Sequence, residues 1–206
     1  MSVAEEIRRA SAGMAAPELL RFLLMDRFPR RAVVTCSLRA RSIVVLNMVA
    51  EIDPATRVIF CHAPDLYPES VAYRARIVER LRLTNVRIAG RGRSGPPPRG
   101  PGHVEDVWSD VPGGWRVHTL VHLNRLLAGF DCWISAVYHR LYGDSGMDRV
   151  VEEGGLVRIV DPLRGWDQED VRAYMAERDL PPHPHVEPQR PGRSPEGSAV
   201  VPTYHY

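Results

Sequence analysis

The stretch from Arg57 to Ser70 constrains the fold more than any other part of the chain. Val58-Ile-Phe-Cys61 is an apolar run of β-favouring residues and reads as a buried strand. It ends in a turn at Pro64-Asp65. Pro68-Glu69-Ser70 then opens a helix, because proline suits the first helical turn and glutamate suits the positive helix end. The same order occurs upstream. Ala32 to Cys36 reads as a short strand, and Ser42 to Glu51 as a helix with little polar face, closed by Asp53-Pro54. Two strand–loop–helix units in succession predict parallel strands joined by right-handed crossovers. Both loops then fall on the carboxyl edge of the sheet, where such sheets place their ligands.

The rest of the chain extends this pattern. Residues 3–27 carry helical periodicity, broken near Pro17, with an apolar run from Leu19 to Leu24. Beyond Pro68, Val71, Ala75, Val78 and Leu81 share one helical face, and Val86 to Ala89 is a third strand. The Gly/Pro/Arg-rich insertion at 90–114 holds little that could form a core and is expected to be flexible. Helix returns at Val117 to Ala128, and strand at Cys132 to Val137 and again at Val157 to Val160. Asp167 is a good N-cap for a helix through Arg178, with acids at Glu169 and Asp170 in its first turn. The predicted class is α/β: a doubly wound, mainly parallel sheet with helices on both faces. The 206 residues make one domain, 1–185, with an irregular tail at 186–206.

Charge and cysteine usage narrow the function. A net charge of +2 is too balanced to mark a nucleic-acid binder, and no apolar run is long enough to span a bilayer. All basic residues are arginine, so no lysine is available to hold a phosphate or form a Schiff base. Cys36, Cys61 and Cys132 each lie in an apolar run without metal-ligand spacing, which argues for reduced thiols in a cytoplasmic protein. No metal or other cofactor is expected.

The segment Thr35-Cys-Ser-Leu-Arg-Ala-Arg-Ser42, between a strand and a helix, is the first candidate site. Free N–H groups and the dipole at a helix start bind anions, and Arg39 and Arg41 could add guanidinium bonds. A strand–helix turn with solvated arginines fits the residues equally well. His62, before Asp65, suits a nucleotide contact or acid–base work, or a hydrogen-bonded loop position.

Taken in order, these motifs resemble those of the phosphoadenylyl-sulfate (PAPS) reductase family of adenine-nucleotide hydrolase-like proteins. Leu66-Tyr67-Pro68-Glu69-Ser70 retains half of a family motif, whereas His62, Ala63 and Pro64 replace the other half. Ser37 and Ser42 fall on the serines of a serine-x-glycine-x-x-serine pyrophosphate loop, with Arg39 on its glycine. Asp131 to Ser135 matches the strand that precedes an arginine pair. Ala136 stands for a glycine, Tyr138 and His139 for the arginines, and Arg140 lies one place later. The run from Val157 through Pro162-Leu163, Trp166, Asp170-Val171 and Tyr174 to His183-Pro184 is similar throughout. The tail from Pro195 to Tyr206 lacks the family's attacking cysteine, and the cysteine pairs of an iron–sulfur cluster are missing.

The resemblance, over roughly residues 18–89 and 120–185, implies a role in sulfur metabolism. The expected ligand is an adenylyl nucleotide: adenylyl sulfate, its 3′-phosphate or ATP. Its expected contacts are Ser37, Arg39, Arg41, Ser42, His62, Asp65, Tyr138, His139 and Arg140. Reductase chemistry is expected to be altered or lost. The alternative is a non-catalytic regulatory or structural subunit that keeps only the fold, with a protein partner or a second copy of the chain.

Overall fold

A computed structural model describes residues 2–61, 68–89, 123, 125–135 and 149–184. Its centre is a six-stranded sheet built from β1 (Ala32–Cys36), β2 (Arg57–Cys61), β3 (Val86–Ala89), β4 (Cys132–Ser135), β5 (Val150–Glu153) and β6 (Leu156–Val160). The order is β3-β2-β1-β4-β6-β5. All pairings are parallel except β5 with β6. From β1 the chain winds outward through β2 to β3, then crosses back to β4 on the other side of β1. The β1–β4 boundary is therefore the topological switch point, where an open α/β sheet leaves a crevice beyond its strand ends.

β1 and β2 follow the predicted bounds closely. β5 was not predicted. Its residues Val-Val-Glu-Glu are short and half charged, but a two-residue turn at Gly154-Gly155 with φ of 58° and 83° folds them back onto β6. Both glycines adopt the positive φ that a type I′ turn requires. Glu152 then accepts a hydrogen bond from the Ala4 amide at 3.1 Å, tying this edge to the first helix.

The helices are α1 (Val3–Ala10), α2 (Ala16–Arg21), α3 (Ala40–Ile52), α4 (Pro68–Arg80) and α5 (Gln168–Glu177). The predicted helical stretch at 3–27 resolves into α1, α2 and a π-helical continuation over Phe22–Arg27. Ser2 with Glu5, and Asp167 with Asp170, form capping boxes at the starts of α1 and α5. α3 is buried from Ser42 to Val49, as its apolar composition requires, because it lies between the sheet, α2 and α5. Trp166 and Tyr174 meet edge to face, with ring centroids 5.7 Å apart, where α5 packs on the core.

Strand alternation divides the core. Val34, Cys36, Val58, Phe60, Cys132, Ile134, Val157 and Ile159 face the helical layer, with Tyr73 and Ile77 from α4. Val33, Ile59, Cys61 and Ala89 face the other way, against Leu123 and Leu127. The sheet is thus covered on both faces, as a parallel sheet must be. The predicted insertion at 90–114 and the tail at 186–206 lie outside the described residues.

Candidate site at the carboxyl ends of the strands

β1 is buried throughout and ends at Cys36, at the centre of the sheet. The turn into α3 is made by Leu38, whose φ is +64°. A leucine in this left-handed region costs about 1–2 kcal/mol. Its side chain is only 3% exposed, and burial of about 1.5–3 kcal/mol offsets that cost. Arg39 follows with extended backbone, φ −81° and ψ 156°, as the N-cap of α3. The residue at the glycine-like position therefore has no unusual backbone. Its side chain is exposed, so its guanidinium is free to lie outside the loop.

The start of α3 is receptive to negative charge. No side chain caps it, and its first turn contains no acid. Its first-turn amides point beyond β1 with the positive end of the helix dipole behind them. Ser37 and Ser42 close the base of the loop, with their hydroxyl oxygens 3.0 Å apart. Ser42 is 3% exposed, so its position is set by packing.

Arg41 points elsewhere. Its Nη2 donates to Asp161 Oδ1 at 2.7 Å and to the Leu163 carbonyl at 2.8 Å, and its Nη1 donates to the Trp166 carbonyl at 2.9 Å. The side chains of this ion pair are 20% and 12% exposed. Arg41 thus joins the start of α3 to the loop after β6. Asp161 adopts φ +47°, and its amide donates to the Ser135 carbonyl at 3.0 Å. Half-buried Arg149 supports the same loop by donating to the Pro162 carbonyl. Neither Asp161 nor Arg149 stands out in the sequence. An Asp-Pro pair closing an apolar run was the available signal.

β4 ends beside β1, with Thr35 opposite Ser135 in register. Thr35 Oγ1 accepts the Trp133 indole N–H at 2.9 Å. The Ser135 hydroxyl, by contrast, is buried without a hydrogen-bond partner. β2 runs parallel to β1, so its last residue, Cys61, shares the same edge. His62 and Asp65 after β2, and Tyr138, His139 and Arg140 after β4, lie outside the described residues. Tyr73 of α4 donates to the Pro181 carbonyl at 2.8 Å, and the His183 ring meets it edge on at 4.8 Å, fastening the segment after α5 near this end.

All three cysteines are free and buried. Burial pushes the Cys36 and Cys61 thiols up to about 12 and raises Cys132 as well. Cys36 and Cys132 face the helical layer and Cys61 the opposite one. Cys132 is level with Ala32, four residues from Cys36 along β1, or about 13 Å. Thiols so buried and so separated do not converge as a ligand set for an iron–sulfur cluster. Among the described residues, no three His, Cys, Asp or Glu side chains converge to hold a metal ion. No helix among them is long and apolar enough to cross a membrane. An open depression of about 460 Å³ lies elsewhere, between α1 and the β5–β6 hairpin, and is lined by none of the strand-end residues above.

A family model for the phosphoadenosine phosphosulfate reductase domain matches residues 31–188. A phosphoadenosine 5'-phosphosulfate reductase of Alkalilimnicola ehrlichii is 28% identical over 87% of this chain and 74% of its own length. An adenosine 5'-phosphosulfate reductase of Chelativorans is 26% identical over 86% of this chain and 73% of its own. The solved structure of a phosphoadenylyl-sulfate reductase from Candida auris, in complex with phosphate, superposes with a TM-score of 0.65. It is 16% identical and covers 89% of this chain and 90% of that one, a likeness of fold.

Proposed function

This chain belongs to the phosphoadenosine phosphosulfate reductase family, and on that premise we propose that it binds an adenylyl nucleotide at the β1–α3 loop while supplying no thiol of its own for sulfur reduction. The observation that carries the binding half is the start of α3, with no side-chain cap and no acid in its first turn, directly beyond the central strand. Phosphate or sulfate oxygens there would accept from the first-turn amides and from the Ser37 and Ser42 hydroxyls. Arg39, exposed at the rim, is free to add a guanidinium, whereas Arg41 contributes by holding the loop in place. The ligand candidates are adenylyl sulfate, its 3′-phosphate and ATP. His62, Asp65, Tyr138, His139 and Arg140 remain candidate contacts on the adjoining loops.

The chemical half rests on the thiols. Displacing sulfur from a sulfonucleotide requires a thiolate to attack it while the nucleotide leaves. Burial keeps the cysteines of this sequence protonated at physiological pH. Binding without turnover by the chain's own thiols is the reading that accommodates both halves. A role as a regulatory or structural subunit is the second reading, favoured by the same burial of the cysteines.

Calorimetry with ATP, AMP, adenylyl sulfate and 3′-phosphoadenylyl sulfate tests the binding half, and a sulfite-release assay with thioredoxin tests the chemistry. We expect at least one nucleotide to bind, and no sulfite release near about 1 per second, the low end of ordinary turnover. Absence of binding by all four nucleotides refutes the nucleotide reading and leaves the structural-subunit reading. Rapid sulfite release refutes the loss of chemistry.

A further inference from the structure

We propose that Asp161 is a positioning residue for the anion site, which holds the Arg41 guanidinium away from the ligand and cancels its charge there. The inference rests on the nucleotide-binding reading above and concerns what sets the strength of that site. Arg41 is the second residue of α3, so its backbone belongs to the first turn, whose amides face the anion. Its side chain is committed elsewhere. Nη2 donates to Asp161 Oδ1 at 2.7 Å and to the Leu163 carbonyl at 2.8 Å, and Nη1 donates to the Trp166 carbonyl at 2.9 Å. All three acceptors lie in the loop after β6. β6 stands two strand spacings, about 10 Å, from β1, and Asp161 directly follows its last residue. The pair therefore sits at the carboxyl edge of the sheet, beside the start of α3.

Two features single out the carboxylate. Asp161 adopts φ +47°, a left-handed backbone that glycine and asparagine also adopt, so the turn itself does not call for an acid. The Leu163 and Trp166 carbonyls also anchor Arg41, so the clasp does not depend on the acid alone. What the acid adds is neutralisation. Without it, a full positive charge would stand within about 10 Å of a phosphate or sulfate held by the first turn of α3. With it, the pair is neutral as a whole. The ligand then meets the amides, the Ser37 and Ser42 hydroxyls and the exposed Arg39. The paired side chains are only 20% and 12% exposed, so water screens their charges weakly.

The test is a charge cycle on Asp161→Asn, Arg41→Gln and the double variant, read by calorimetry with adenylyl sulfate at low ionic strength. We expect Asp161→Asn to bind about threefold to tenfold more tightly, because Arg41 keeps its two carbonyls but loses its counter-charge. Arg41→Gln should bind more weakly by a similar factor, because the Asp161 carboxylate then repels the anion. The double variant should return close to the wild type, since its pair is again neutral, and all differences should shrink as salt is added. A merely structural clasp predicts the opposite sign for Asp161→Asn, so weaker or unchanged binding by that variant overturns this inference and leaves the nucleotide reading intact. Should Asp161→Asn alone fail to fold, the double variant is compared with Arg41→Gln. Removing the carboxylate in that background must raise affinity, and no rise overturns the inference. If the wild type does not bind adenylyl sulfate, the nucleotide reading at this edge fails and this inference fails with it.

Discussion

Replacing Arg41 with alanine should destabilise the protein strongly and affect binding only through the loop it holds. In the native fold this guanidinium makes an ion pair with Asp161 and hydrogen bonds to two loop carbonyls, at 2.7–2.9 Å. Both side chains are largely shielded from water, at 20% and 12% exposed. Removing the cation leaves a shielded carboxylate without its counter-charge and two carbonyls without their donor. Breaking a buried pair from one side costs about 3–5 kcal/mol, and partial exposure points to the lower end. At about 3 kcal/mol, a chain of this size should lose about 6–12 °C in melting temperature. That is a large part of an ordinary domain's stability of about 5–15 kcal/mol. Asp161→Asn keeps a residue type that tolerates positive φ and removes only the charge. A cycle with Arg41→Ala, read by urea denaturation, should give a coupling of about 1–3 kcal/mol. A melting temperature within about 1 °C of the wild type, accompanied by lost nucleotide affinity, would refute this reasoning and make Arg41 a ligand arginine.

Three further outcomes are expected. The native protein at pH 8 should not react with a thiol reagent, whereas three thiols should react in denaturant, since Cys36 and Cys61 titrate near 12 and Cys132 is also raised. Unfolded thiols ionise near about 8.5, so this contribution to stability is complete below that pH and is lost as pH climbs toward the folded values; melting from pH 7 to 10 follows it. Arg82 ends α4 at φ +53°, with its amide on the Glu79 carbonyl and the next amide on Val78, as in a Schellman turn. Arg82→Gly should raise stability by about 1 kcal/mol by relieving the left-handed backbone, measured by urea denaturation. Gly155, at φ +83° in the β5–β6 turn, has open space around the position of a Cβ, so Gly155→Ala should cost about 1 kcal/mol from backbone conformation alone, seen as a fall of about 2–4 °C.

Much of the sheet was legible because its inner strands are apolar on both faces. A run such as Val58 to Cys61 can lie only between covered faces, and its neighbours Pro68 and Glu69 fit only a helix start. That a helix follows β1 was legible for the same reason, although α3 begins at Ala40 rather than Ser42 and its lack of a side-chain cap shows only in the fold. β5 was not. Two valines followed by two glutamates are too short and too charged to mark a strand alone, and it is their pairing with β6 and contact with α1 that make them one.

The sequence by itself determined the α/β class, the order of the central strand–helix units and the scarcity of reactive thiols, because local periodicity and composition are written along the chain. Only the tertiary structure decided the roles of individual side chains at the strand ends. Arg39 and Arg41 are two residues apart in one loop, yet one is exposed and the other clasps Asp161, far along the chain. Ser135 reads as an ordinary strand residue until β1 and β6 enclose its hydroxyl without a partner. Such roles depend on which groups the fold brings within hydrogen-bond reach and which it shuts away from water. Both are properties of distances in space, which separation along the chain does not encode.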